Sequence, residues 1–107
     1  MTAIRLIDTT FRDGQQCLWA TRMRTAAMLP VAGRIDQAGF SAVEVMGAVQ
    51  FDAAVRYLQD DPWERLRLLR GAISRTPLQA VIRSSCVLGF KPQADDLNEV
   101  WIEQLVE

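Results

Sequence analysis

Three short apolar segments alternate with helical patterns along the chain, and this alternation most constrains the fold. The segments Ile4–Asp8, Ser41–Val45 and Leu78–Ile82 are brief and rich in β-branched residues, which predicts strands. Apolar residues recur at helical spacing between these segments and after the third one. Strands that alternate with helices predict right-handed crossovers and a parallel sheet. We therefore expect an α/β fold with the order β-α-β-α-α-β-α.

The helix boundaries are predicted from capping residues. Thr25 is a candidate N-cap for a helix that Gly39 closes, and Pro30 is expected to loosen or kink its start. Asp61 and Pro62 suit the N-cap and the first position of a later helix. The predicted helices are 25–38, 51–58, 62–73 and a last one that Asp95 or Asp96 caps.

The number of strands raises a question about completeness. Three parallel strands cannot close a barrel, which takes about eight. A sheet of three strands would leave two exposed edges and apolar helix faces half covered. The sequence therefore resembles the opening of a larger α/β fold. A free-standing layer of three strands remains an alternative, because small domains bury proportionally little surface.

Composition excludes several classes of protein. The chain has 107 residues, enough for one small domain, and its 12 basic and 13 acidic residues give no basic excess for nucleic-acid binding. No apolar run approaches the roughly 18 residues of a membrane span, and no signal peptide is visible. With two cysteines, we expect a reduced, cytoplasmic protein. Histidine is absent, so a metal site would use carboxylates, carbonyls, cysteine or water.

The densest group of polar residues follows the first predicted strand. The stretch 8–16 reads DTTFRDGQQ and contains two acids, an arginine and two glutamines. Such residues form ordinary turns, but a polar loop after a rigid strand is also where α/β enzymes carry their chemistry. Both interpretations are open on composition alone.

A parallel sheet would bring further charged residues to the same edge as this stretch. The candidates are Arg12, Asp13 and Gln16 after the first strand, Glu44 near the end of the second, Asp52 beyond it, and Arg83 at the end of the third. Charged residues at the carboxyl ends of parallel strands are typical of active sites. An unpaired buried arginine is costly, so Arg83 points to a ligand or to a structural ion pair with Asp52 or Glu44.

Longer stretches of the sequence resemble one family. DTTFRDGQQ, ATRMRT, FSAVEVMGAVQFDAAVRYLQDDPWERLRLLR and TPLQAVIR are similar to the N-terminal part of the pyruvate carboxyltransferase domain. This family includes the oxaloacetate decarboxylase α subunit, the pyruvate-side subunit of transcarboxylase and pyruvate carboxylase, within the superfamily of HMG-CoA lyase. The resemblance implies that residues 1–107 form the first three β/α units of a (β/α)8 TIM barrel. The chain would then contain only an incomplete, N-terminal portion of that domain.

The resemblance also implies roles for the candidate residues. Asp13 matches a ligand of a divalent metal (Zn, Mn or Co), Arg12 the arginine that stabilises the pyruvate enolate, and Gln16 a substrate-contacting glutamine. Glu44 matches the strand-two glutamate of the superfamily signature, and the resemblance implies that Arg12, Gln16 and Glu44 are catalytic residues. Asp52 and Arg83 match residues of the pyruvate and biotin pocket, with Arg83 on the substrate carboxylate. Biotin would arrive on a carrier domain or subunit, and the rest of the barrel would be a further partner.

The sequence departs from the family pattern at several positions. Gln15 replaces a usual His, Cys17 a Ser, Met46-Gly47-Ala48 a Trp-Gly-Gly, Cys86 an Asn and Phe90 a Tyr. Two metal-binding histidines and a catalytic lysine of the family lie beyond this chain, so we expect a full domain more than twice as long and no activity from these residues alone. The alternatives are a non-catalytic remnant or interaction module, and an acyl-CoA lyase or synthase of the same superfamily.

Overall fold

The computed structural model describes residues 3–82 and 94–107, which form a parallel sheet packed against helices. Its strands are β1 (Ile7–Asp8), β2 (Ala42–Met46) and β3 (Leu78–Ala80). Its α-helices are α1 (Gln15–Trp19), α2 (Thr25–Gln37), α3 (Ala48–Ala53), α4 (Pro62–Ala72) and α5 (Asp95–Val106). Two π-helical segments, Thr10–Gly14 and Ala54–Leu58, lead into α1 and extend α3.

The strands lie in sequence order, β1-β2-β3, and every neighbouring pair is parallel. Ile7 lies opposite Ala42, and Glu44 lies opposite Gln79. The helices between the strands make the crossovers that parallel pairing requires. The predicted α/β class with parallel strands is confirmed.

The strands are shorter than the sequence predicted. β1 begins at Ile7 rather than Ile4. The first residue of β2 lies opposite Ile7, so the residues before Ile7 have no residue of β2 to pair with. Ile4 is 89% exposed as a result. At the other end of the sheet, β3 stops at Ala80 rather than Ile82. These boundaries depend on the neighbouring strand, which apolar patterning does not describe.

The stretch predicted as a loop after β1 is mostly helical, so that prediction was wrong. Gln15 is buried and its Nε2 donates to the Phe11 carbonyl at 2.6 Å. The N–H of Met23 donates to Gln15 Oε1 at 3.1 Å. Gln15 thereby closes the segment around the buried Phe11 ring. Asp8 shapes the entry to this segment by accepting hydrogen bonds from the N–H and Oγ1 of Thr10 at 3.2 and 2.8 Å.

Helix capping followed the sequence in some places and not in others. Asp61 Oδ1 accepts from the N–H groups of Trp63 and Glu64 at 2.9 and 3.3 Å, so the predicted cap of α4 is confirmed. The N-cap of α2 is Arg24 rather than Thr25, and α2 continues through Pro30. The N-cap of α5 is Ala94, so neither Asp95 nor Asp96 has the predicted capping role.

The core lies between the sheet and the helices α2 and α4. Its buried members are Phe11, Met28, Ala32, Ile35, Val43, Val45, Met46, Leu69 and Ile73. These residues follow the helical and strand periodicities of their elements, as burial of one face requires. Among the described residues, no helix has both the length and the apolar character needed to span a membrane.

Asp36, in the last turn of α2, organises the loop that leads into β3. Its carboxylate accepts hydrogen bonds from the N–H groups of Ser74, Arg75 and Thr76 and from Thr76 Oγ1, the shortest at 2.8 Å. Burial alone would raise the pKa of the Asp36 carboxyl. The hydrogen bonds from Thr76 and from the backbone outweigh burial and hold the pKa below its ordinary value.

A buried arginine, Arg65 of α4, fixes the segment before α2. Its Nε donates to Thr25 Oγ1 at 2.9 Å, and its Nη2 donates to the Met23 carbonyl at 3.2 Å and to Asp60 at 3.4 Å. Burial lowers the pKa of Arg65, and the Asp60 carboxylate partly offsets this. These hydrogen bonds therefore hold the end of the segment between α1 and α2 against α4.

Candidate functional site at the carboxyl ends of the strands

Arg12 lies in the π-helical segment directly after β1 and turns back toward β2. Its Nε donates to Glu44 Oε1 at 2.5 Å. Its Nη1 lies 3.4 Å from Oδ1 of the adjacent Asp13. The Arg12 side chain is 22% exposed, so its guanidinium is partly desolvated and still reaches the surface. A charge-assisted hydrogen bond of this kind fixes the orientation of the guanidinium plane.

Glu44 is the buried partner of this arginine. Its second oxygen, Oε2, accepts from Gln79 Nε2 at 2.6 Å. Both carboxylate oxygens therefore accept hydrogen bonds, one from the π-helical segment after β1 and one from β3. A buried carboxylate needs such partners to offset the cost of desolvation. The geometry of Glu44 suits holding Arg12 in place, and its predicted catalytic role stays a prediction.

Asp13 differs from Glu44 in its exposure. The Asp13 side chain is 51% exposed. Its Oδ1 has the 3.4 Å contact with Arg12, and its Oδ2 accepts from Cys17 Sγ at 3.8 Å, a weak donor. These loose contacts leave the carboxylate able to bind a hard or borderline cation. The described residues contain no group of three or more metal-ligating side chains, and the predicted role of Asp13 as a metal ligand stays a prediction.

Gln16 is tied to the same cluster through a residue of α3. Gln50 Nε2 donates to Gln16 Oε1 and to the Arg12 carbonyl, both at 3.0 Å. Gln50 is buried, whereas Gln16 is partly exposed. We refer to Arg12, Asp13, Gln16 and Glu44 as the strand-end site.

The contacts of the strand-end site do not include Asp52, and Arg83 falls among the residues that the structure does not describe. The Asp52 carboxylate pairs with Arg56 Nη2 at 3.2 Å, one helical turn along the same segment. Arg83 lies outside the described residues, as do Cys86 and Phe90. The predicted substrate-binding roles of Asp52 and Arg83, and the alternative ion pair of Arg83 with Asp52 or Glu44, therefore stay predictions.

Sequence reasoning missed two residues of this region, Gln50 and Gln79. Gln79 had a signal, because it is the one polar residue within the predicted strand 78–82. A polar side chain in an apolar parallel strand usually has a buried partner. Gln50 had no comparable signal, since its partners lie 34 and 38 residues earlier in the chain.

The strand-end site combines hydrogen-bond donors that suit an anionic oxygen ligand with a carboxylate that suits a cation. Arg12 provides a fixed positive charge, Gln16 provides an amide, and Asp13 provides an accessible carboxylate. A preorganised guanidinium next to developing negative charge is a common source of transition-state stabilisation. The arrangement suits chemistry that passes through an oxyanion or enolate.

Comparison with known proteins confirms the resemblance to the pyruvate carboxyltransferase family. The chain is 50% identical over 99 residues to a protein of Methanocaldococcus jannaschii that is named as one of the subunits of pyruvate carboxylase, covering 92% of the chain. It is 42% identical over 104 residues to the 2-oxoglutarate carboxylase large subunit of Hydrogenobacter thermophilus, covering 97% of the chain. No protein-family model matches the chain.

Solved structures support the same relationship at the level of the fold. The carboxyl transferase domain of Rhizobium etli pyruvate carboxylase, with pyruvate and biocytin, matches 96% of the chain with a TM-score of 0.90 and 36% identity. The fold therefore corresponds to the N-terminal part of the carboxyltransferase TIM barrel. The chain spans 18% of the length of that structure and 18% and 16% of the two relatives.

Proposed function

We propose that this chain, which belongs to the pyruvate carboxyltransferase family, forms part of a biotin-dependent enzyme that transfers a carboxyl group between biotin and pyruvate. A relative that is 50% identical is named for pyruvate carboxylase, and a matching structure contains pyruvate and biocytin. The observation that carries the proposal is the Arg12–Glu44 pair at the carboxyl ends of the strands.

The proposed reaction requires stabilisation of an enolate. Loss of CO2 from oxaloacetate leaves the enolate of pyruvate, and carboxylation of pyruvate passes through the same species. The negative charge develops on the oxygen of the former ketone. Arg12 would donate hydrogen bonds to that oxygen, and Glu44 keeps the guanidinium oriented without reorganisation during the reaction.

Gln16 of the strand-end site and two residues outside it, Arg83 and Asp52, would bind the substrates. Gln16 would donate from its amide to a substrate oxygen, and Arg83 would pair with the substrate carboxylate. Asp52 would line the pocket that receives biotin. These roles follow from the family resemblance.

The family implies a divalent metal, and Asp13 would be one of its ligands. Zn, Mn or Co held there would act as a Lewis acid toward a carbonyl oxygen. The half-exposed Asp13 carboxylate fits this role because its contacts with Arg12 and Cys17 are long. The other ligands would come from outside the described residues.

The exposed edges of the sheet support the rest of a barrel as a partner, and the family resemblance implies a biotinyl carrier as another. Leu6, before β1, is 62% exposed, and Ile82, after β3, is 40% exposed. Further strands pairing with β1 and β3 would cover these side chains and remove both sheet edges. The completed barrel would place the strand-end site in the mouth that the carrier approaches.

A second keto acid, 2-oxoglutarate, is another candidate substrate of this site. The relative named 2-oxoglutarate carboxylase is 42% identical over nearly the whole chain. Both substrates are 2-keto acids, and both would present the same carbonyl and carboxylate to Arg12 and Gln16. The strand-end site therefore does not separate them, and selectivity would depend on residues that contact the rest of the substrate.

The test is biocytin-dependent decarboxylation of oxaloacetate by the native protein that carries this chain. Arg12→Met should lower kcat by roughly 10²- to 10³-fold, as loss of an oxyanion donor does. Arg34→Met is the matched control, because Arg34 is an exposed arginine on α2. Initial rates with pyruvate and with 2-oxoglutarate as carboxyl acceptors would identify the preferred keto acid.

Two outcomes would contradict the proposal. Turnover that does not depend on biocytin, or an Arg12→Met variant as active as Arg34→Met, would remove the proposed role of the site. Absence of turnover with either keto acid would favour the non-catalytic alternative. Cleavage of an acyl-CoA would favour a lyase of the superfamily.

A further inference from the structure

The orientation of the Gln50 amide is determined by the main chain. Its Nε2 lies 3.0 Å from the Arg12 carbonyl oxygen, which can only accept hydrogen bonds. If the oxygen and nitrogen of Gln50 were exchanged, two acceptors would face each other. Gln50 is 1% exposed, so water is not available to bridge such a pair. The nitrogen of Gln50 must therefore point toward Arg12.

This orientation determines the orientation of Gln16 in turn. An amide NH2 has two hydrogens, and the second one of Gln50 reaches Gln16 Oε1 at 3.0 Å. A reversed Gln16 amide would place two NH2 groups against each other. With its oxygen bound to Gln50, Gln16 has its own NH2 left to donate to a ligand.

Gly47 provides the space that Gln50 occupies. A Cβ atom at position 47 would lie 2.8 Å from Gln50 Oε1 and 3.6 Å from Arg12 Cδ. The first distance is below any normal contact, so an alanine here would displace the end of the Gln50 side chain. The backbone at Gly47 is extended, and any residue could adopt its φ. The close approach of Gln50 therefore explains why position 47 is a glycine.

We propose that Gln50 is a positioning residue that commits Gln16 to act as a hydrogen-bond donor toward the keto acid. This inference rests on the proposed carboxyltransferase function, because it assigns Gln16 the substrate. Keto acids and their enolates present only acceptor oxygens to a site. A Gln16 that rotated freely would present its carbonyl in some of its conformations and repel these oxygens. Gln50 removes those conformations before substrate binds.

The test is a double-mutant cycle between positions 16 and 50 in the native protein that carries this chain. Gln50→Leu should raise KM for the keto acid roughly tenfold, with a smaller change in kcat, since it weakens substrate orientation. In the Gln16→Ala background, the same substitution should change KM by less than about twofold. Gln37→Leu on the exposed end of α2 is the matched control.

Gly47→Ala provides a second route to the same result and retains the Gln50 amide. It should raise KM in the same direction, and its effect should largely disappear when combined with Gln50→Leu. Additive KM effects of the position 16 and position 50 substitutions would overturn the proposal, because they would show that Gln50 acts independently of Gln16.

Side-chain amide 15N–1H spectra of the native protein separate failure of this inference from failure of the proposed function. The Gln16 NH2 signals should shift in Gln50→Leu and remain unchanged in Gln37→Leu. Unchanged Gln16 signals in Gln50→Leu would overturn the inference whatever the turnover. Shifted signals in a protein without turnover would support the Gln50–Gln16 coupling and contradict the carboxyltransferase assignment.

Discussion

Two buried carboxylates, Glu44 and Asp36, have similar burial and very different partners. Glu44 is 5% exposed and Asp36 is 8% exposed. Glu44 binds the side chain of Arg12, from the π-helical segment after β1, and the side chain of Gln79, from β3. Asp36 binds three consecutive backbone N–H groups and one hydroxyl of a single loop.

The difference separates support of the site from support of the fold. Asp36 lies in the last turn of α2 and binds the loop that leads into the start of β3. Residues at the amino ends of the strands in such folds serve stability. The backbone partners of Asp36 hold the loop before β3 in place, and none of them belongs to the strand-end site. Glu44 holds a guanidinium next to the carboxyl ends of the strands, where active sites lie. Similar burial therefore does not imply a similar role, and the nature of the partners distinguishes the two carboxylates.

Of the substitutions at these two carboxylates, Glu44→Gln should cause the largest effect, a loss of activity. The amide removes the negative charge that orients Arg12 and turns one acceptor into a donor beside either Arg12 or Gln79. We expect kcat/KM to fall roughly 10- to 100-fold, which corresponds to a charged hydrogen bond. Steady-state kinetics of the native protein with oxaloacetate would measure this fall.

Glu64→Gln is the control for that substitution, because Glu64 forms an exposed ion pair with Arg67 at 3.6 Å. Exposed pairs contribute about 0–1 kcal/mol, so this variant should retain normal kinetics. Equal kinetic losses in the two variants would show that removal of any carboxylate charge, rather than the Arg12 contact, causes the effect.

Asp36→Asn should affect stability instead of kinetics. It replaces one acceptor oxygen by an NH2 group that faces backbone donors, and the loop before β3 loses hydrogen bonds. We expect the melting temperature to fall by on the order of 5–10 °C, with KM unchanged. Calorimetry would measure the shift, with Asp95→Asn on the exposed first turn of α5 as the control. A kinetic defect without a loss of stability would break the contrast with Glu44.

The smallest expected effect concerns the difference in stability between wild type and Asp36→Asn, which should depend on pH. The pKa of Asp36 is lowered in the folded protein, so its ionised form stabilises the fold above the pKa of the unfolded chain, which is about 4. This contribution is lost as the pH falls through the lower, folded pKa. The difference in stability between wild type and Asp36→Asn should therefore become smaller as the pH falls below about 4. A gap that widens on acidification would contradict the lowered pKa.

Local patterns predicted the architecture and part of the site. The order of strands and helices and the cap at Asp61 followed from residues close together in the sequence. The positions of Arg12 and Asp13 after β1 were predicted in the same way. Helix α1 was missed because its stability comes from Gln15, whose side chain bonds to Phe11 and Met23. Capping and periodicity do not describe such contacts.

The sequence by itself determined a parallel α/β chain with a family motif after its first strand, because periodicity, caps and motifs are local properties. Only the tertiary structure decided which polar groups meet. The contact of Arg12 with Glu44 spans 32 residues, and those of Gln50 with Gln16 and Arg12 span 34 and 38. These distances in sequence are closed by the pairing of β1 with β2. The register of β1 and β2 therefore decides which partners the side chains of the helical segment after β1 can bind.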